Sequence, residues 1–307
     1  MISKQTKPQD YCLLAILGAI WGSAFFNIKI ARLSFDPFTI AFFRVFLGSL
    51  PVIIFCFYRG EKIEAFTKEW PSFLLIGLIN LVIPFFLISY SINALQSNLA
   101  ALLMGSNPLT ASLIGHFFLR EEKINLLKFL GVCLGFSGLI FLFFDKSLLN
   151  QTNMIKAFLI LLASSFYVIG GTLTIKMSLK GKSNENVTAS TLLWATICLL
   201  PFTISESPWN LKPSFESITS LIYLGLVPTG LAWSLRFHIL KRNGLLFQAQ
   251  VAYLIPLFGV LLGALFMNES ITPKIIVSLA AVIGGIYLVK KGKGRERSID
   301  DEKISKP

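Results

Sequence analysis

Apolar runs of roughly twenty residues, separated by short polar connections, set the pattern of this chain. A helix of that length crosses a hydrocarbon core of about 30 Å. Ten such runs are read, at roughly 11–31, 37–58, 71–92, 97–118, 124–144, 154–176, 187–206, 215–237, 245–267 and 272–290. The connections carry breakers or charges: Asp36-Pro37, the stretch from Arg59 to Glu69, and Gly181-Lys182-Ser183-Asn184. The pattern predicts an all-α polytopic membrane protein of ten transmembrane helices.

Two of the runs share a layout. Ser97 to Glu121 and Leu245 to Glu269 each place a proline near the middle, with a glutamate thirteen residues later: Pro108 with Glu121, Pro256 with Glu269. Pro84 and Pro228 sit near the centres of the third and eighth runs. Arg44 lies seven residues before Pro51, and Trp194 seven before Pro201. Asn27-Ile28-Lys29 ends the first run as Thr174-Ile175-Lys176 ends the sixth. Runs one to five therefore pair with six to ten, a duplication. Five is odd, so the second copy lies upside down and the repeats are inverted. A proline inside a helix lacks its amide donor and presses on the carbonyl four residues back, here those of Asn80, Met104, Leu224 and Ala252. In a bilayer such breaks occur where they face protein or a watery cavity. Paired breaks in duplicated halves point to a transporter with its site at the midplane, and to Pro84, Pro108, Pro228 and Pro256 as hinges.

Composition agrees with the pattern. Hydrophobic residues make up 54% of the 307 positions, charged residues 14%, and mean hydropathy is +0.70; soluble domains carry about 25% charged residues. The net charge of +12 is spread over connections rather than gathered in a patch, which argues against nucleic acid as a partner. Twenty-one of the 28 basic residues fall at the termini and alternate connections, six on the other side, and Arg44 alone within a run. The positive-inside rule then puts both termini in the cytoplasm. Lys4 and Lys7 before an apolar run mimic a signal peptide, but no small-residue cleavage site follows, and the segment reads as an uncleaved first helix. The organisation is a cytoplasmic N-terminus (1–10), a five-helix repeat (11–144), a connecting loop (145–153), a second repeat (154–290) and a charged cytoplasmic tail (291–307), read as disordered. Cys12, Cys56, Cys133 and Cys198 all lie in apolar runs without metal spacing and read as small hydrophobes.

Candidate site chemistry is polar, aromatic and cationic. Asn80, Asn107 and Gln250 offer amides near the presumed midplane, able to fix a polar ligand in an apolar pocket or to bond helix to helix. Trp21, Tyr90, Tyr167, Trp233 and Tyr253 offer rings that stack on a planar or cationic solute, or that belong to the interfacial belt; Trp21 and Tyr253 lie too far inside for the belt. Arg44 either pairs with a substrate carboxylate or binds helix carbonyls and holds spans together. Lys29 either meets substrate or gate, or snorkels to the headgroups from its span end. None of the 16 acidic residues falls at mid-membrane, which disfavours coupling through a central acid and fits a uniporter or exchanger. Glu121 and Glu269, at span ends, either clasp gates beside Arg120, Lys123 and Lys274 or form ordinary helix-end salt links. Metal clusters, phosphate loops and hydrolase signatures are absent from the sequence, so neither a metal nor another cofactor is expected, and no enzyme activity.

The chain resembles the drug/metabolite transporter superfamily in its form with two EamA domains and ten helices. The resemblance rests on Trp21-Gly22-Ser23 with Lys29, Pro37 with Arg44, Asn107-Pro108, and Leu119-Arg120-Glu121-Glu122 leading into Gly131, Gly135 and Gly138. Leu265-Phe266-Met267-Asn268-Glu269 leading into Gly284-Gly285 echoes it in the second half. One departure is Tyr167-Val168, where the family often has a tryptophan. The resemblance implies a helical basket around a central cavity that moves small metabolites such as amino acids outward across a bacterial inner membrane. The expected partners are a small-molecule substrate and the lipid bilayer, the expected state a monomer or weak homo-oligomer. A nucleotide-derived solute or a cationic drug is the alternative cargo, and an integral-membrane enzyme the remoter alternative.

Overall fold

A computed structural model describes residues 7–118, 125–143, 151–178 and 181–304. Ten helical spans follow one another. Five are single helices that meet or slightly overrun the apolar runs: Pro8–Ala31, Pro37–Tyr58, Leu126–Phe143, Gln151–Ser178 and Asn184–Glu206. The tenth, Pro273–Ile304, carries helix into the charged tail. That corrects the expectation of a disordered tail; Arg, Glu and Lys are strong helix formers and extend a helix already nucleated by the span.

Starts and stops follow local chemistry. Pro8, Pro37 and Pro273 take the first helical position, where the missing amide costs nothing. Ser183 and Ser214 accept the amides of Asn186 and Ser217, each at 3.2 Å, and cap the seventh and eighth spans. Ser207 and Asn268 end the seventh and ninth spans in the left-handed region, at φ 49° and 51°.

The remaining four spans are interrupted, three of them at mid-length and the ninth near its start. The third runs Trp70–Gly77, then a π-helical turn Leu78–Val82, then Ile83–Ser91. The eighth runs Phe215–Leu224, then a π-helical stretch Gly225–Leu231, then Ala232–Asn243. The fourth divides into Ser97–Met104 and Asn107–Phe118, and the ninth into Leu245–Gln248 and Val251–Met267. Pro228 has no amide for the Leu224 carbonyl; the Thr229 hydroxyl donates to it instead at 2.9 Å, and the turn widens around it. Pro256 departs from the reading that each of the four prolines breaks its own helix. It sits inside continuous helix, and the ninth span parts at Ala249-Gln250. Its ring packs where a Cβ on Gly105 would fall, 3.1 Å away, so Pro256 fits against the parting of the fourth span.

Packing relates the halves by exchange. The first span lies on the ninth and the sixth on the fourth; the third lies on the sixth and the eighth on the first. The second packs on its own counterpart, the seventh, and the fifth on the tenth. Swapping the repeats returns the same set, as an inverted pair requires. The fifth and tenth spans approach backbone to backbone: a Cβ on Gly131 would stand 2.6 Å from the Gly285 carbonyl oxygen. Small residues permit that contact, and in lipid, close packing is what draws helices together. Large apolar side chains such as Ile54, Phe57 and Ile140 point outward, as a lipid-facing surface requires. Cys56 is buried as expected, whereas Cys12 and Cys133 are exposed, since their helix faces look out from the bundle.

Candidate functional site

Two of the irregular helices, the third and the eighth, meet around Arg44. It sits seven residues into the second span and is only 7% exposed. Its Nε donates to the Thr229 hydroxyl at 3.1 Å, in the π-helical stretch of the eighth span. Its guanidinium lies 3.8 Å from the centre of the Phe85 ring on the third span. Phe85 in turn stands 6.2 Å from the ring of Tyr167 on the sixth. Trp21, on the first span, donates its indole N–H to the Pro228 carbonyl at 3.1 Å. Further along the same helix, the Ser23 hydroxyl meets that of Tyr223 at 2.7 Å. Five spans from both repeats thus converge on one place, and the widened turn in the eighth supplies two of the polar contacts.

A second group lies beside the first. Asn80, in the π turn of the third span, lines a cavity of about 10 Å³ with Leu81, Thr188, Thr191, Leu192 and Trp233. Trp233 is also covered by Arg236, whose guanidinium stands 4.6 Å from the ring. The sequence puts Arg236 in a cytoplasmic connection, but the eighth span continues to Asn243 and leaves it two turns inside. Its Nε is buried and, among the described residues, without a hydrogen-bond partner.

Gln250 and Tyr253 stand elsewhere. With Ile276, Ile283, Tyr287 and Lys290 they line a groove of about 790 Å³ between the ninth and tenth spans. Gln250 marks the parting of the ninth span, and the Tyr253 hydroxyl is buried and, among the described residues, without a partner. Asn107 opens the second half of the fourth span, directly beyond its parting. Tyr90 is apart from all three groups. It is at the end of the third span, 43% exposed, with the Lys156 ammonium over its ring.

Lys29 closes one face of the bundle. It does not snorkel: its ammonium donates to the Leu95 carbonyl at 2.8 Å and to Glu269 at 3.2 Å. Glu269 also accepts from the amides of Ser97 and Asn98, at 2.6 and 2.8 Å, and from the Ser97 hydroxyl at 2.9 Å. A carboxylate at a helix start satisfies orphan amides and the positive end of the dipole. The link joins the first, fourth and ninth spans. Glu206 does the same on that face, accepting from the Phe38 amide at 3.1 Å and the Thr39 amide and hydroxyl at 2.7 Å. Sequence reading missed Glu206; its place at the end of the seventh span, facing Asp36-Pro37 in the inverted scheme, was the available signal. Glu121, Arg120 and Lys123 lie outside the described residues. Among the described residues, no group of His, Cys, Asp or Glu has the spacing of a metal site.

Several known proteins are similar to this chain along most of its length. An uncharacterized transporter of Bacillus subtilis, YoaV, is 24% identical over 272 residues, 88% of this chain and 92% of its own. The uncharacterized inner membrane transporter YedA of Escherichia coli K12 is 24% identical over 292 residues, 92% of each chain. A crystal structure with 16% identity superposes with a TM-score of 0.67 over 90% of this chain and 94% of that one, a likeness of fold. The sequence profile of the EamA-like transporter family matches residues 10–144 and again 154–290, so the chain belongs to that family, as a two-repeat transporter of the drug/metabolite type.

Proposed function

We propose that the protein is a secondary carrier that moves a small amphipathic metabolite, an amino acid or a related compound, across a bacterial cytoplasmic membrane. It works by alternating access, as an exporter or exchanger, with both termini in the cytoplasm. The observation that carries this reading is the meeting of irregular helices from both repeats around buried polar and aromatic side chains. Such stretches hold carbonyls and amides free of the helix ladder, and they bend at little cost. By the distribution of lysine and arginine, the Lys29 face is the outer one. The Lys29–Glu269 link then holds the outer mouth shut, and its release exposes the centre to that side.

The test is counterflow in liposomes that contain the full chain, preloaded with unlabelled solute and given labelled amino acids and nucleosides outside. Saturable countertransport of at least one solute is expected. Rates no higher than in protein-free liposomes for every solute would overturn the reading. Gln250→Ala and Tyr253→Ala check the groove: variants that insert normally and transport at the parental rate would remove those two residues from the path.

A further inference from the structure

Among the described residues, Arg44 is a buried cation without a buried anion. Nε is engaged by Thr229, and one face of the guanidinium is covered by Phe85. Within the same set, its two terminal nitrogens donate to no helix carbonyl, and no carboxylate comes within salt-bridge distance of them. Arg44 therefore joins the second span to the eighth and third through Thr229 and Phe85 rather than through helix carbonyls, and its terminal nitrogens are left for another acceptor. The head is also not reaching for a membrane surface. Thr229 is fourteen residues into its span and Tyr167 sixteen into its own, each far from both ends.

An arginine stays charged in a protein, and an unpaired charge at this depth is costly. A bound group of opposite sign offsets that cost. Arg236 adds a second guanidinium inside the eighth span, again stacked on a ring and with Nε unpartnered. Lys29 is different: it already has Glu269. Among the described residues, neither guanidinium is paired with a carboxylate.

We propose that the transported solute carries a carboxylate as its required group, and that Arg44 is the residue that binds it. The proposal rests on the carrier reading above and names the substrate class of the same site. The free edge of the guanidinium presents two parallel N–H donors, the geometry a carboxylate accepts in a bidentate pair. Phe85 and Tyr167 beside it select an apolar or aromatic body on the same solute. Thr229 holds the fork in place by fixing Nε, so it is a positioning residue.

The experiment uses matched acids and primary amides: phenylacetate with phenylacetamide, leucine with leucinamide, phenylalanine with phenylalaninamide. Ligand-dependent melting of the purified full chain and counterflow in liposomes are both read. At least one acid is expected to bind about ten- to a hundredfold more tightly than its amide, the loss expected for a charged hydrogen bond. Arg44→Gln should abolish that preference. Arg44→Lys, which keeps charge but not the fork, should fold and retain a reduced preference, guarding against a glutamine variant that fails to fold. Amides binding as well as their acids throughout, or a preference unchanged in Arg44→Lys and Arg44→Gln, would overturn the proposal. Counterflow of amides or amines without acids would sink the carboxylate and leave the carrier standing. No counterflow of any solute would sink the carrier itself.

Discussion

The two faces of the bundle are fastened by different chemistry. On the Lys29 face, carboxylates of the second repeat reach across to helix starts of the first: Glu269 to Ser97 and Asn98, Glu206 to Phe38 and Thr39. The Glu269 side chain is 5% exposed. On the face that carries the termini, Lys182 meets Glu64 and Glu69, and Arg59 meets Glu185, between connections. There Glu69 is 47% exposed and Arg59 43%. A buried carboxylate with four donors is held rigidly and is expensive to break from one side. Exposed pairs between flexible side chains are screened and exchange partners at small cost. The comparison teaches that the Lys29 face behaves as a latch, whereas the termini face sets loose ties between connections beside one buried carboxylate, Asp10, which pairs with Arg242 at 2.9 Å.

The largest effect is expected from Glu269→Gln. The change keeps one acceptor and turns the other into a donor facing the Ser97 amide (at Oε1) or the Asn98 amide (at Oε2), and it leaves the Lys29 ammonium with the Leu95 carbonyl but no counter-ion. Breaking a buried pair from one side costs about 3–5 kcal/mol; with Lys29 25% exposed, about 2–3 kcal/mol is the expected loss. Melting of the purified protein measures it. A loss below that of the Lys182 variant described last would erase the distinction between the faces. Adding Lys29→Met to Glu269→Gln should recover part of the loss, because the stranded charge is gone.

Next come Gly263→Ala and Glu206→Gln. A Cβ on Gly263 would stand 2.7 Å from a Glu269 oxygen and 2.8 Å from the Ser97 hydroxyl. It pushes directly on the latch, and about 1–3 kcal/mol is expected from such overpacking. Glu206→Gln keeps one acceptor but weakens a cap with three donors, at a cost of about 1–2 kcal/mol. If Glu206→Gln equals or exceeds Glu269→Gln, the cation in the Glu269 cluster contributes nothing and the Lys29 face is held by caps alone.

Much of this was readable from sequence, and the limit is physical. Apolar runs locate the ten spans, most of them to within a few residues, because lipid imposes length on a helix; the eighth and tenth helices run on past theirs, to Asn243 and Ile304. Asn80 and Leu224 lie at π turns because the prolines four residues on withdraw their donors. The parting at Ala249-Gln250, ahead of Pro256, was not readable: it depends on which neighbour the proline ring meets, here Gly105 of the other repeat. The same holds for charge. Glu269 was recognisable as a span-end acid, but its partner is Lys29, 240 residues away, rather than the nearby Lys274. Arg44 was legible as an intramembrane cation; that its partners are Thr229 and Phe85, not carbonyls, needed coordinates.

The smallest effect is expected at Lys182, and it tests the loose side of the comparison. Hydrogen bonds it donates to Glu64 and then to Glu69 raise the pKa of its ammonium above the ordinary lysine value. A raised value in the folded state means stability that is fully present below the unfolded value, about 10.4, and lost as pH rises through the folded one. Between neutral pH and about 10 the contribution is therefore flat. Lys182→Ala should cost no more than about 1 kcal/mol there. The difference should shrink above that range, as the parent's lysine loses its proton too. It should also shrink in high salt, since Glu64 is 33% exposed and Glu69 more so. Melting of parent and variant across pH and ionic strength decides the point: a cost that salt leaves untouched would make this tie as rigid as the latch, and the two faces would no longer differ in kind.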